Sequence, residues 1–274
     1  MKTHVAFAVT LFFISSCSTL AFWSDDSEED VSEPIELTKI QNLYPINVEW
    51  KRSFDGENDL GSFLPSFYSG EMILADPNGS LLSINPDTGS TIWEVDLKRD
   101  LSAGTASGFG KIIVADTNGF VIAIDSITQE TLWEKNIGGE ILSNGVISAS
   151  LVVMKNSVGE LVALDSLTGE QKWSFRSQLP ALTVRGTGEP IIENGIVFST
   201  FDNGRLGAFQ LDTGYFLWDG PIAFVEGTSE LENLIDSDSS PVIAQQLIFA
   251  TSYQGKLTAF DVAQKRPVWN AEAS

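Results

Sequence analysis

Cysteine and histidine are almost absent from this sequence, which has one of each among 274 residues. The single cysteine, Cys17, has no second thiol with which to form a disulfide. The single histidine, His4, lies in a segment that we expect to be removed from the mature chain. Without it, the chain lacks the base of Ser-His-Asp and Cys-His nucleophiles and the usual ligands of a zinc site.

Basic residues are also scarce, with 16 Lys and Arg against 37 Asp and Glu and a formal net charge of −21. This balance disfavours nucleic-acid binding and a broad contact with anionic lipid. The segment 108–110, Gly-Phe-Gly, lacks the strand-to-helix context of a phosphate-binding loop. The Asp-x-Asn-Gly segments 76–79 and 116–119 lack the later ligands of a calcium loop, so we predict hairpin turns there.

The N-terminus has the parts of a secretory signal. Lys2 precedes the short apolar run 5–14, which is too short to span a bilayer. The segment Ile-Ser-Ser-Cys at 14–17 resembles a bacterial lipobox, in which the cysteine is lipidated and becomes the first mature residue. A plain signal peptide with an incidental cysteine is the alternative. We predict a signal peptide over residues 1–16 and lipidation of Cys17.

Residues 17–43 are predicted to form a tether, because the acidic run Ser-Asp-Asp-Ser-Glu-Glu-Asp at 24–30 favours a solvated chain. Ser18, and not Asp, follows Cys17. By resemblance to bacterial lipoproteins, this implies sorting to the outer membrane. The folded domain is expected over residues 44–274.

One 15-residue pattern recurs five times and is clearest at 159–173, Gly-Glu-Leu-Val-Ala-Leu-Asp-Ser-Leu-Thr-Gly-Glu-Gln-Lys-Trp. Each copy opens on a turn glycine, alternates as a strand does, passes a second turn and ends on tryptophan 14 residues later. Successive tryptophans are 40, 40, 45 and 51 residues apart, which indicates one repeated folding unit with insertions in its loops. The copies begin at Gly79, Gly119, Gly159, Gly204 and Gly255 and end at Trp93, Trp133, Trp173, Trp218 and Trp269.

Four short strands are indicated in each repeat, because an apolar run precedes each glycine and a small-residue stretch such as 102–107 precedes that run. Four strands in about 40 residues is the size of one β-propeller blade. We predict an all-β protein, a propeller with five full four-stranded blades, with the small-residue strand innermost. A sandwich would explain the strands but not the constant tryptophan step. Each indole is expected to pack against a turn glycine of a neighbouring blade.

The pattern Ala-x-Asp-x-x-Thr-Gly-x-x-x-Trp at 163–173 resembles the tryptophan-docking repeat of the quinoprotein propellers. It is similar to the enzymes that bind pyrroloquinoline quinone and to the BamB family of outer-membrane assembly lipoproteins. The enzymes characteristically carry a cysteine pair, which this chain lacks, and the lipobox, the acidic tether and the blade order resemble the BamB family. The resemblance implies a non-enzymatic, cofactor-free lipoprotein of the outer membrane that faces the periplasm. A fragment of a quinone-dependent dehydrogenase is the alternative.

The two longest tryptophan spacings place insertions at 177–188 and 221–240, in consecutive inter-blade loops that should emerge side by side. The BamB family uses a Leu-x-Leu-Arg loop and an Asp-x-Asp loop to hold a POTRA domain of BamA. The resemblance therefore implies binding of BamA, and through it the rest of the assembly complex. Nascent barrel proteins could be gripped by strand addition at exposed edges. A local ion pair of the loop arginine with a neighbouring acid is the alternative. The implied contact residues are Leu182, Val184 (Leu in the family), Arg185, Asp236 and Asp238.

The family's propellers have eight blades, whereas this sequence has five repeats and a segment around Trp50 that we interpret as the outer strand of a closing blade. We therefore expect a fragment of a longer, C-terminally extended protein, with one sheet edge left unpaired.

Overall fold

In a computed structural model, the part of the protein that the structure describes contains twenty β-strands, β1 to β20. The structure describes residues 44, 46–53, 61–180, 186–222, 239–253 and 256–272. All of the strands belong to the compact unit Val48–Ser274. Within these described ranges, no helix has the length and apolar character needed to cross a membrane.

The strands form five four-stranded antiparallel sheets, and each sheet contains four strands that are consecutive in the chain. We call these sheets blades 1 to 5. Blade 1 contains β1 (Ser66–Tyr68), β2 (Glu71–Ala75), β3 (Ser80–Ile84) and β4 (Thr91–Asp96). Blade 2 contains β5 (Leu101–Gly108), β6 (Lys111–Asp116), β7 (Phe120–Asp125) and β8 (Thr131–Asn136).

The remaining three blades follow the same plan. Blade 3 contains β9 (Val146–Ile147), β10 (Leu151–Lys155), β11 (Glu160–Asp165) and β12 (Gln171–Arg176). Blade 4 contains β13 (Ile191–Glu193), β14 (Ile196–Phe201), β15 (Arg205–Gln210) and β16 (Phe216–Pro221). Blade 5 contains β17 (Val242–Ala244), β18 (Leu247–Thr251), β19 (Lys256–Asp261) and β20 (Arg266–Glu272). The predicted repeat of four-stranded blades is confirmed.

The small-residue strand β5 is innermost, as predicted. All but one of its residues are buried, and it contacts strands β1 and β2 of blade 1 and β9 of blade 3. Short side chains allow this close approach of neighbouring blades near the propeller axis.

The hydrophobic core lies between successive blades. Alternate residues of β11 face opposite sides: Val162 and Leu164 pack with blade 2, whereas Leu161 and Ala163 pack with blade 4. A strand that is covered on both faces needs apolar residues at every position. This explains why the third strand of each blade has a nearly continuous apolar run.

The glycine that opens each repeat lies in the turn between the second and third strands. Gly79, Gly119, Gly159 and Gly204 all have positive φ there, which glycine adopts without steric cost. Gly255 lies outside the described residues. Both Asp-x-Asn-Gly segments form these turns: the Asp76 carboxylate accepts hydrogen bonds from two backbone N–H groups of its turn, and the carboxylate of Asp116 does the same.

Each buried indole docks on the following blade. Trp133 lies against Gly169 and donates its Nε1–H to the carbonyl oxygen of Ser166 at 3.0 Å. Trp173 lies against Gly214 in the same way and donates to a backbone carbonyl of blade 4 at 2.7 Å. The expected contact between indole and turn glycine is confirmed for Trp133 and Trp173 but not for every repeat, because Gln129 and Lys265 occupy the glycine position in blades 2 and 5. The glycine involved lies between the third and fourth strands and is not the one that opens the repeat.

The docking turn is built by the aspartate of the repeat. The Asp165 carboxylate accepts hydrogen bonds from the backbone N–H groups of Leu167 and Thr168, at 2.9 and 3.0 Å. The N–H of Leu167 is the main cause of the lowered pKa of this carboxyl, followed by the side chain of Lys172. A short acceptor that closes the turn locally is the reason for aspartate at this position.

The indoles at the two ends of the series differ from the others. Trp50 docks on Gly89 and donates to the carbonyl oxygen of Pro86 at 2.8 Å, as a preceding blade's tryptophan would. The predicted outer strand around Trp50 is nevertheless wrong for residues 46–53, which form no strand because no described strand pairs with them. Trp218 is 7% exposed, whereas Trp269 in β20 is 43% exposed, because no described turn of a following blade covers it.

A β-bulge precedes the tryptophan in every blade. In blade 3, Ala163 pairs with Trp173 and the next residue, Leu164, pairs with Gln171, so that Lys172 is the extra residue. Such a bulge bends the strand and increases its local twist. The same shift occurs at Ile92, Leu132, Leu217 and Val268.

Candidate functional site

The predicted partner-binding residues lie in two segments that the structure does not describe, 181–185 and 223–238. These residues are Leu182, Val184, Arg185, Asp236 and Asp238. The predicted lipidation site, Cys17, also lies outside the described residues. The structure does describe the ends of both insertions, which show where each one leaves and rejoins the propeller.

Both insertions leave the propeller from the same face. The Ser177 N–H donates to the carbonyl oxygen of Gly159 at 2.9 Å, and the Ile222 N–H donates to that of Gly204 at 2.8 Å. Each insertion therefore starts beside the turn between the second and third strands of its own blade. Because strands alternate in direction, these turns and all connections between blades lie on one side of the propeller.

The insertions also rejoin the propeller next to each other. The backbone N–H of Glu189 donates to Ser240 Oγ at 2.9 Å, and Thr200 Oγ1 donates to the carbonyl oxygen of Ser239 at 2.8 Å. A Cβ atom on Gly188 would lie 2.6 Å from the Ser239 carbonyl oxygen, so the two returning segments are in direct contact. Their described ends therefore have the side-by-side arrangement expected for loops of adjacent blades.

A carboxyl group is enclosed at this junction. Burial raises the pKa of the Glu189 carboxyl above its ordinary value, and a hydrogen bond from Asn144 offsets this only in part. Asn144 lies just before β9, Glu189 lies just before β13 and Ser240 lies just before β17. A polar line therefore runs across the inner ends of blades 3, 4 and 5.

A second polar line runs beside the first. The buried Nζ of Lys155 in β10 donates to the carbonyl oxygen of Thr200 in β14 at 3.2 Å, and the Thr200 hydroxyl donates on to Ser239. Ser239 Oγ donates to the carbonyl oxygen of Thr251 in β18 at 3.0 Å and accepts from its N–H at 2.8 Å. These hydrogen bonds join blades 3, 4 and 5 near the ends of the two insertions. In each of them, one partner is a backbone atom.

None of these junction residues was identified from the sequence alone. One signal was available: Glu189 and Ser240 each stand immediately before a proline, Pro190 or Pro241, just ahead of the first strand of blades 4 and 5. Equivalent polar residues at the same repeat position, each at the end of an insertion, indicate a shared role.

A small cleft opens between blades 4 and 5 on the opposite face, with a volume of about 200 Å³. Its walls are mainly apolar, with Ile196, Phe198, Ile243 and Val262, and Glu193 lies at its edge. Across the described ranges, no three His, Cys, Asp or Glu side chains come close enough together to hold a metal ion.

Each blade has four strands, and the buried indoles pack on the turn between the third and fourth strands of the following blade. This arrangement defines a tryptophan-docked β-propeller. The family model described as "Outer membrane protein assembly factor BamB" matches residues 77–274. The chain belongs to the BamB family.

Individual relatives agree with this assignment. The outer membrane protein assembly factor BamB of Pseudomonas aeruginosa is 44% identical over 273 residues, covering 99% of this chain and 70% of the relative. The crystal structure of BamB from Moraxella catarrhalis has a TM-score of 0.71 at 24% identity, covering 77% of this chain and 64% of that one. The chain spans about two thirds of the length of the curated relatives that it matches, 66% and 64% for two further ones.

The propeller fold is also found in enzymes. The quinohemoprotein alcohol dehydrogenase from Comamonas testosteroni has a TM-score of 0.62 at 16% identity, covering 78% of this chain and 43% of that one. At such identities, similar structures show the fold alone.

Proposed function

We propose that the protein is a non-enzymatic scaffold of the outer-membrane β-barrel assembly complex. In this role it binds the POTRA region of BamA and assists the insertion of outer-membrane proteins. The observation that carries the proposal is the contact between the ends of the two insertions, where the Glu189 N–H donates to Ser240 Oγ at 2.9 Å. This contact supports a single binding surface formed by segments from adjacent blades.

The chemistry of the two segments fits a protein partner. Leu182 and Val184 offer apolar side chains, and Arg185 offers a guanidinium that forms paired hydrogen bonds with carboxylates. Aliphatic anchors beside arginine are typical of the centre of a protein interface. Asp236 and Asp238 would add acceptors from the second insertion.

The decisive experiment is recovery of BamA from solubilised outer membranes with affinity-tagged protein. Arg185→Glu should lower recovery at least tenfold, because removing a charged interface anchor costs about 1.4 kcal/mol or more. Arg266→Glu makes the same change of charge in β20, away from both insertions, and should recover as much BamA as the wild type. Unchanged recovery with Arg185→Glu would remove the assigned site, and no recovery by the wild type would overturn the function.

Membrane attachment forms part of the same proposal. Residues 1–16 would be removed as a signal, Cys17 would be lipidated, and residues 17–43 would tether the propeller on the periplasmic face of the outer membrane. Metabolic labelling with radioactive palmitate should mark the wild type and the tether variant Ser27→Ala. The Cys17→Ser variant should lose both the label and the outer-membrane fractionation. Labelling that survives in Cys17→Ser would refute the anchor.

The fold shared with quinohemoprotein dehydrogenases makes a direct test of activity worthwhile. The purified protein would be incubated with pyrroloquinoline quinone, calcium, short-chain alcohols and an artificial electron acceptor. A scaffold should show neither dye reduction nor a bound-quinone absorption band. Turnover would replace the scaffold with the dehydrogenase alternative.

A further inference from the structure

We infer that five residues where the two insertions rejoin the propeller act as a positioning device, which holds the insertions at a fixed separation so that a partner meets one preformed surface. We call this device the loop-base clamp, and it consists of Gly188, Glu189, Thr200, Ser239 and Ser240. The inference rests on the proposed function for its binding readout. No residue of the clamp needs to touch the partner.

Thr200 is the hub of the clamp. It is fully buried in β14, between the two insertions, and it uses both of its oxygens. Its hydroxyl donates to Ser239 of blade 5 at 2.8 Å, and its carbonyl accepts from Lys155 of blade 3 at 3.2 Å. Buried hydrogen bonds of this kind are costly to break because the remaining partner loses its solvation as well as its bond. Thr200 therefore fixes where the second insertion rejoins the propeller.

Ser239 is held from both sides. Its carbonyl oxygen accepts from Thr200, and its hydroxyl both donates to and accepts from the backbone of Thr251 in β18. A residue with three such bonds has little freedom to shift. The first residue that the structure describes after the segment 223–238 is thus fixed to blades 4 and 5 at once.

Gly188 permits the close approach of the two segments. A Cβ atom there would lie 2.6 Å from the Ser239 carbonyl oxygen and 2.7 Å from Thr200 Oγ1, closer than real Cβ contacts occur. Its φ lies outside the left-handed region, so a substitution would create a clash without backbone strain. The glycine is therefore required by the spacing between the insertions and not by its own conformation.

Fixing the ends of the two insertions favours binding, because it lowers the entropic cost of ordering two separate segments on one partner. Rigidifying a binding surface in its bound arrangement improves affinity mainly by reducing that cost. If the ends of the two insertions could move independently, each insertion would have to be ordered separately when the partner binds. We expect loss of the clamp to weaken binding about tenfold, the equivalent of ordering one or two further side chains.

The test compares three clamp variants in the full-length protein. Thr200→Val removes the hydroxyl at nearly constant volume, Thr200→Ser retains it, and Gly188→Ala forces the segments apart. The dissociation constant for the purified POTRA domains of BamA would be measured by calorimetry. Thr200→Val and Gly188→Ala should bind about tenfold more weakly, whereas Thr200→Ser should bind like the wild type.

A matched control separates positioning from general stability. Thr105→Val in β5 also removes a buried threonine hydroxyl, which donates to the carbonyl oxygen of Ile73 in the neighbouring blade at 3.1 Å. The Thr105 hydroxyl also shares a hydrogen bond with Ser66 Oγ at 2.7 Å, so Thr105→Val should lower the melting temperature at least as much as Thr200→Val, and it should leave binding unchanged. Equal binding losses in the two variants, or wild-type binding by Thr200→Val, would overturn the inference.

A second readout does not depend on the partner. Spin labels on Thr187→Cys and Ser237→Cys, in a Cys17→Ser background, would report the distance between the insertions by pulsed electron paramagnetic resonance. The distance distribution should be narrow and should broaden when Thr200→Val is added. An unchanged distribution would overturn the clamp even if BamA binds, whereas broadening without any wild-type binding would overturn only the proposed function.

Discussion

The indole of Trp133 lies so close to Gly169 that a Cβ atom on this glycine would come within 2.7 Å of the ring. The same indole donates its Nε1–H to Ser166 O at 3.0 Å, three residues earlier in the turn. The Trp133 side chain therefore joins the outer edges of blades 2 and 3 in two ways, by packing and by a hydrogen bond.

This contact predicts a large effect of Gly169→Ala. Alanine would strain the backbone at φ +72° and would also collide with the Trp133 ring. Gly110→Ala is the matched control, because Gly110 has φ +77° but open space around the added atom. Gly169→Ala should lower the free energy of unfolding by about 1–3 kcal/mol more than the control does, the usual cost of overpacking. Urea unfolding curves of the two variants measure this difference, and equal losses would contradict the docking geometry.

The half-buried carboxyl of Glu189 predicts a stability that depends on pH. Its pKa is raised in the folded state by burial, so the folded protein holds the proton more tightly than the unfolded chain. The contribution of this group is therefore most favourable below the ordinary pKa of glutamate. It declines as pH rises from that value to the raised folded pKa.

Glu189→Gln should accordingly raise the melting temperature at pH 7.5, because the amide does not ionise in this half-buried position. The gain should shrink as pH falls through the ordinary range of a glutamate carboxyl. Glu193→Gln, an exposed glutamate at the end of β13, serves as the control and should show no such trend. Thermal melts between pH 4 and 8 measure both variants; a gain that is constant with pH would show that ionisation is not its cause.

The adjacent residues Arg99 and Lys98 are predicted to differ in how much their ion pairs contribute to stability. The Arg99 guanidinium lies 3.3 Å from the buried Asp116 carboxylate and 3.0 Å from Glu134, whereas neighbouring Lys98 pairs with exposed Asp96. Arg99→Met should cost about 1.5–3 kcal/mol, as expected when a bond to a charged buried group is lost.

The matched variant Lys98→Met should cost less than about 1 kcal/mol, because exposed pairs gain little and are screened by salt. Chemical denaturation at low and high ionic strength would resolve the two effects. Similar losses for both variants would mean that burial of Asp116 does not strengthen its ion pair.

Thr258 predicts an effect at the start of the second insertion. Its buried hydroxyl in β19 donates to the carbonyl oxygen of Ile222 in the preceding blade at 2.7 Å. Thr258→Val should destabilise the protein by about 1–3 kcal/mol because it leaves that carbonyl without its donor. Thr258→Ser should recover most of the loss in equilibrium unfolding. A serine variant as unstable as the valine variant would show that retaining the hydroxyl is not enough to restore stability, and would contradict the assignment to this hydrogen bond.

The blades could be predicted from the sequence because their signals are local. Alternation, turn residues and the constant step from glycine to tryptophan all lie within one repeat, and the structure confirms the strands that they predict. The partner of each indole could not be predicted in the same way. Gly159 and Gly169 are both turn glycines with positive φ, and only the stacking of the blades decides which of them meets an indole.

Two docking turns were hidden for a related reason. Gln129 and Lys265 occupy the position of Gly169 in blades 2 and 5, with φ of 60° and 56°. Residues with side chains seldom adopt this conformation, so their sequences do not mark the turn. The clamp residues Thr200 and Ser239 were hidden as well, because they are 39 positions apart and meet only when two blades stack.

The bulge before each tryptophan determines where the chain can accept insertions and deletions. Without the extra residue Lys172, Trp173 would turn to the opposite face of its sheet and point towards blade 2 instead of blade 4. A deletion inside the last hairpin of a repeat would thus undock two blades, while the spacing between successive tryptophans already varies by up to 11 residues through the connections between blades. Foreign peptides grafted into this propeller should be tolerated in those connections and rejected between Gly159 and Trp173.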